Sequence, residues 1–169
     1  MITISQLNAM PPSDFAHALE GVFEHSAWIA VAAEGGRPFA DVNALHRHLM
    51  EVVKSSPRQK QLVLLRAHPD LAGRLAQQGL LTSESAREQK SAGLGEATPA
   101  TLASIRKFNA DYRTKFHFPF IICARLNKVD AILSAMEQRL HHIEAMEIRI
   151  AIEEIGKIAL LRLTDLITS

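Results

Sequence analysis

Apolar positions recur along the chain at steps of three and four, the spacing of one helix face, and polar residues gather at the breaks between. Phe15, Leu19, Val22 and Phe23, then Ser26 to Ile29, predict one helix capped by Ser13, reaching about Ala33 and stopped by Gly35-Gly36. Asp41 caps a second, with Val42, Leu45, Leu49, Val52 and Val53 on one face. Pro57 stands in the first turn of a third that ends near Arg66. Pro69 suits the first position of a further helix, which puts His68 at or beside an N-cap, with Gly79 as the stop. Thr82 or Ser83 opens a short helix to Ser91, closed by Gly93 and Gly95. Thr98-Pro99 opens a long one with the stripe Leu102, Ile105, Phe108, Tyr112 and Phe116. Pro119 breaks that stripe. Phe118 to Ala124 is then a continuous apolar run, read as a buried strand-like stretch, an irregular one or the start of another helix. Asn127 caps a helix to about His142. The last runs from about Ile143 to Ile167, with Ile148, Ile152, Ile155, Ala159, Leu163 and Leu166 inward.

The expected fold is all-α: one domain over residues 1–169, a bundle of about eight helices joined by short connections. Composition agrees, since 24 Ala and 20 Leu stand against 7 Val. Lys plus Arg (19) and Asp plus Glu (18) leave a net charge of +1, which argues against nucleic acid as a partner held by bulk charge. No stretch approaches the roughly 18 uncharged apolar residues of a membrane span. Met1 to Met10 lacks the Lys, Arg and apolar run of a signal peptide, and Ile167-Thr168-Ser169 is no peroxisomal tripeptide, so the expectation is a cytoplasmic protein.

Most familiar chemistries have no footing. The single cysteine, Cys123, allows neither an internal disulfide nor a Cys-based zinc site, and its apolar surroundings suit inert burial. His46 and His48, two apart on a helix, point about 200° away from each other and cannot share an ion. His141 and His142 are adjacent and no better placed, so no metal is expected. There is no Gly-x-Ser-x-Gly elbow, and Ala92-Gly93-Leu94-Gly95-Glu96 lacks the Lys-Ser/Thr of a phosphate loop.

Three features remain. His68, at a helix start, would face exposed N–H groups and the positive pole, where an anion binds. The ordinary alternative is a plain cap. Ser85, Glu88 and Gln89, at i, i+3 and i+4, share one helix face that can offer a hydroxyl, a carboxylate and an amide to a polar ligand. Their alternatives are a capping box or a solvated face. The Phe118-to-Ala124 run, if irregular, has backbone groups in need of partners.

Taken in order, a set of stretches resembles one family. They are Arg66-Ala67-His68-Pro69-Asp70-Leu71-Ala72, Thr82-Ser83-Glu84-Ser85 with Glu88-Gln89, and Ala92-Gly93-Leu94. Phe108-Asn109 with Tyr112, Lys115-Phe116-His117-Phe118-Pro119-Phe120-Ile121, and Glu154-Ile155, Ile158-Ala159 and Arg162-Leu163 complete it. The set covers most of the chain and resembles the 2-oxo-4-hydroxy-4-carboxy-5-ureidoimidazoline (OHCU) decarboxylases, which finish the route from urate to allantoin. The resemblance implies an all-helical homodimer that decarboxylates OHCU to (S)-allantoin with no cofactor. It implies His68 and Glu88 as catalytic residues. It implies substrate contacts at Pro69, Ser85 and Gln89, at Phe120, Ile121, Ile122, Cys123 and Ala124, and at Arg162. His117 departs from it, standing where many relatives carry Gly. On the residues alone, a non-enzymatic helical interaction module and a histidine-metal hydrolase stay open. Substrate turnover and chelator sensitivity separate them.

Overall fold

Side-chain caps set several of the helix starts. In the computed structural model, which describes residues 1–168 apart from the side chain of residue 75, Thr3 and Gln6 form a capping box that opens α1 (Ile4–Ala9). This helix was not expected from so short a pattern. α2 (Pro12–Ala18) begins on Pro11 and has no side-chain cap. The single helix predicted from Ser13 to Ala33 is in fact two, because the chain leaves helical geometry after Ala18 and resumes at α3 (Trp28–Ala33). Between them Leu19, Val22 and Phe23 are buried from a series of turns, with His25 at φ 45. A helix-like spacing therefore arose from turns.

Asp41 accepts from the Ala44 N–H at 2.7 Å and opens α4 (Val42–Ser55), as its sequence predicts. α5 (Arg58–Ala67) follows, then α6 (Arg74–Gln77), α7 (Ser83–Ser91), α8 (Pro99–Phe116), α9 (Val129–Arg139) and α10 (Glu144–Leu166). Asn127 is not the cap of α9. Lys128 holds that position, and the Asn127 amide turns back to the Cys123 carbonyl at 3.0 Å. The two strands, β1 (Ile2–Thr3) and β2 (Ile167–Thr168), pair in parallel and join the chain ends.

The chain divides into two compact units, Met1–Ala67 with the residues from Ile155 onward, and His68–Glu154. In the first, Leu45, Leu49 and Val53 of α4 are fully buried, as are Phe15, Ile29, Ala33, Ala159 and Leu163. Asn8 exchanges two hydrogen bonds with the backbone of Phe39, and Gly156 leaves room for Met50, 3.2 Å from where a Cβ would stand. The second unit is built on an aromatic cluster. Tyr112 lies 4.5 Å from Phe116, 5.7 Å from Phe118 and 5.4 Å from Phe120, ring centre to ring centre. Among the described residues no helix is long and apolar enough to cross a membrane.

Candidate active site

His68 does not begin a helix. It follows the last residue of α5, and the next helical residue is Arg74. Pro69 explains the difference, since a proline pushes the residue before it out of α geometry and ends the helix upstream rather than opening one downstream. The carbonyl end of α5, not an amide end, thus precedes the imidazole in the chain. His68 is nonetheless buried, at 7% exposure, in a tight turn that continues through Leu71 and Ala72, the latter at φ 47.

That turn is tied to α7. Thr82 is the N-cap of α7, its hydroxyl accepting from the Ser85 N–H, so Ser85 and Glu88 are not a capping box. The face formed by Ser85, Glu88 and Gln89 is buried rather than solvated. Gln89 Oε1 accepts from the Ala72 N–H at 2.9 Å and its Nε2 donates to the Asp70 carbonyl at 3.3 Å. Asn109 of α8 donates to the Leu71 carbonyl at 2.9 Å. The polar face of α7 is therefore fastened within two residues of His68 and Pro69. Gln89 does this by committing its carbonyl oxygen and one N–H to the turn.

The apolar run after Pro119 is irregular, and Phe120, Ile121, Ile122, Cys123 and Ala124 are all buried. It closes in a 3-10 turn, Ala124–Leu126, that packs against α7. Burial pushes the Cys123 thiol above its ordinary range, and the carboxylates of Glu154 and Glu88 push the same way. The thiol is therefore held neutral, and Glu88 lies near enough to Cys123 for its charge to be felt. Helix α7 thus touches both the turn after His68 and the segment that closes the run, and every predicted site residue except Arg162 falls in unit two.

Arg162 belongs to the first unit. There it donates to the Gly21 carbonyl at 3.1 Å and to Glu24 Oε2 at 3.2 and 3.3 Å, with Arg162 and Glu24 both buried. A cavity of about 480 Å³ is lined by Gln89 with, among others, Ala72, Ala76, Leu81, Leu94 and Leu102. His68, Ser85 and Glu88 are not among its lining residues. Among the described residues no three His, Cys, Asp or Glu side chains stand together as metal ligands.

Reading the sequence missed a second group of polar residues behind the run. Arg139 donates to the Ile121 carbonyl at 2.8 Å and stacks its guanidinium 4.3 Å from the centre of Phe120. Fully buried Glu147 accepts from Arg139 at 2.9 Å, from the Tyr112 hydroxyl, and pairs with His142 at 2.6 Å. Glu154 accepts from the Cys123 N–H at 2.8 Å. A signal was available. Glu147, Ala151, Glu154 and Ile158 follow the 4-3-4 spacing of a buried stripe, and a carboxylate on such a stripe needs a partner.

A family model described as OHCU decarboxylase matches residues 8–164. The chain belongs to the OHCU decarboxylase family. A 2-oxo-4-hydroxy-4-carboxy-5-ureidoimidazoline decarboxylase from Haloferax volcanii is 38% identical over 168 residues, 99% of this chain and 98% of its own length. One of the same name from Amia calva is 40% identical over 162 residues, 96% of this chain and 93% of its own. A uric acid degradation bifunctional protein from Bacillus sp. is 36% identical over 98% of this chain, which spans only 32% of that longer protein. Among solved structures, (S)-allantoin synthase superposes with a TM-score of 0.80 at 27% identity, covering 100% of this chain and 55% of the other. A crystal structure of OHCU decarboxylase in the presence of (S)-allantoin shares the fold, with a TM-score of 0.72 at 22% identity over 89% of this chain and 96% of that one. These relatives indicate an enzyme, a decarboxylase.

Proposed function

We propose that the protein is a carboxy-lyase that converts OHCU to (S)-allantoin and CO2 in urate breakdown, without a cofactor. The observation that carries this reading is the burial of His68, Ser85 and Glu88 in one unit of a chain matched by the family over nearly its whole length. Burying an imidazole and a carboxylate costs stability, and a site that moves a proton is a reason to retain them.

The chemistry suits these groups. Breaking the bond to the carboxylate leaves an electron pair on a ring carbon, and the neighbouring C=N unit of the substrate accepts it. The substrate supplies its own electron sink. What the protein adds is orientation of the carboxylate out of the ring plane, hydrogen bonds to the developing negative charge, and one proton delivered to one face. In this reading His68 donates that proton to the carbon bearing the ureido group, while the hydroxyl proton passes to the ring nitrogen that took the electron pair as the ring carbonyl forms. Glu88 orients the imidazole or holds a substrate O–H or N–H. Pro69, Ser85 and the backbone from Phe120 to Ala124 contact the ring and its ureido arm, with the remaining N–H of Gln89. The family resemblance alone adds Arg162. It also extends the reading to one domain over residues 1–169 that works as a homodimer in the cytoplasm, and light scattering checks the dimer.

The test generates OHCU from urate in situ and follows the circular dichroism of the allantoin formed. Wild type yields the S enantiomer at a rate above buffer and indifferent to EDTA. Folded His68→Ala loses about 10²- to 10⁴-fold of the enzymatic rate, and Glu88→Gln is impaired as well. Racemic product at the buffer rate from wild type, or a folded His68→Ala protein with the wild-type rate, would overturn the reading.

A further inference from the structure

The irregular run after Pro119 is held by charged side chains at two of its backbone groups and left open between them. Arg139 takes the Ile121 carbonyl at 2.8 Å, and Glu154 takes the Cys123 N–H at 2.8 Å. Both clamps are buried, at 7% and 8% exposure, and Arg139 is itself fixed by Glu147. A trans peptide is planar, so its N–H and C=O point in opposite directions. With the Ile121 carbonyl aimed at Arg139, the Ile122 N–H turns away from Arg139. With the Cys123 N–H aimed at Glu154, the Ile122 carbonyl turns away from Glu154. Among the described residues neither the N–H nor the C=O of Ile122 has a hydrogen-bond partner, although the residue is buried. Buried backbone groups are rarely left so.

We propose that Glu154 and Arg139 are positioning residues that lock the Ile121–Cys123 backbone so that the donor and acceptor of Ile122 read an amide or ureido group of the substrate. The inference rests on the decarboxylase reading and deepens it. It assigns recognition to one peptide donor and one peptide acceptor, set by side chains that do not themselves meet the substrate. A planar N–H/C=O pair, which a ureido-substituted ring carries, is the matching ligand chemistry. Aliphatic carboxylates and apolar rings lack it.

Glu154 is the better probe, because removing Arg139 strands the buried charge of Glu147. Amide hydrogen exchange by NMR is read beside kcat and KM for OHCU. In wild type the Cys123 amide exchanges slowly, the Ile122 amide faster, and (S)-allantoin slows the latter. In Glu154→Ala the Cys123 amide loses protection while amides of α8 keep theirs. KM then rises about tenfold, the loss expected for one charge-assisted hydrogen bond, and kcat changes less. Glu154→Gln, whose Oε1 still accepts the N–H, restores exchange and KM to near wild type. A Cys123 amide that exchanges as fast as Ile122 in wild type overturns the proposal. So does an Ile122 amide indifferent to allantoin, or a folded Glu154→Ala protein with wild-type KM. If Glu154→Ala does not fold, the two wild-type exchange measurements decide alone. Absence of OHCU turnover in wild type sinks the functional reading instead, and the Cys123 exchange comparison still reports on the clamp.

Discussion

His117 ends α8 in the left-handed region at φ 61, its N–H bonded back to the Arg113 carbonyl at 2.9 Å. An L side chain in that region crowds its own backbone by roughly 1–2 kcal/mol, which glycine avoids. Glycine suits this left-handed position better than histidine does, so the histidine carries a local backbone cost. His117→Gly should raise stability by about 0.5–1 kcal/mol, since glycine's larger unfolded-state entropy cancels part of the relief. Urea unfolding measures it, and an unchanged or lower midpoint counts against the strain. That Ser85, Glu88 and Gln89 share one helix face was legible in the sequence, and the structure buries that face. What their atoms do was less so. The Gln89 amide spends two of its groups on the Asp70–Ala72 turn. Nothing in residue identity distinguishes an amide that reads a ligand from one that splices a helix to a turn.

Elements transmit these local choices. α7 carries the polar face, and its start depends on the Thr82 hydroxyl, as the start of α4 depends on the Asp41 carboxylate. Thr82→Ala and Asp41→Ala should each cost about 1 kcal/mol of stability. Their effects on turnover should differ. Fraying the first turn of α7 loosens Ser85, so Thr82→Ala lowers kcat/KM for OHCU, whereas Asp41→Ala changes the melting temperature alone. Equal turnover in the two variants would separate the α7 start from the site. Helices with a cap, an apolar stripe and a proline stop, such as α4 and α8, were readable because three local signals agreed. The segment after Ala18 was not. Leu19, Val22 and Phe23 keep a helical spacing while lying in turns, and burial looks alike in both. His68 was misplaced for a related reason, since Pro69 suits a helix start yet here enforces the end of α5.

At the scale of the whole molecule, the all-α class followed from composition and periodicity. The buried charges of the second unit did not, because they depend on which helices meet. Their presence has a consequence for the pH range of the fold. Burial, helped by the bond to Glu147, raises the Tyr112 phenol above its ordinary 10.0, and burial raises the Cys123 thiol above its ordinary 9.0. In the folded chain both groups keep their protons where the unfolded chain has released them. Above about pH 9 the unfolded state therefore binds fewer protons than the native one, and stability falls as pH rises. Each group contributes a slope of about 1.4 kcal/mol per pH unit once its unfolded form has titrated. Below pH 8 neither contributes any slope. Urea unfolding between pH 8 and 11 should show a midpoint that declines from about pH 9 and steepens near pH 10. Tyr112→Phe should abolish the second step and Cys123→Ala the first, whatever each does to stability at pH 8. The clean separation comes from the slope, because a packing defect shifts every midpoint equally while a lost titration changes the pH dependence. A Tyr112→Phe protein that keeps the wild-type slope above pH 10 would show that the phenol ionises in the native state.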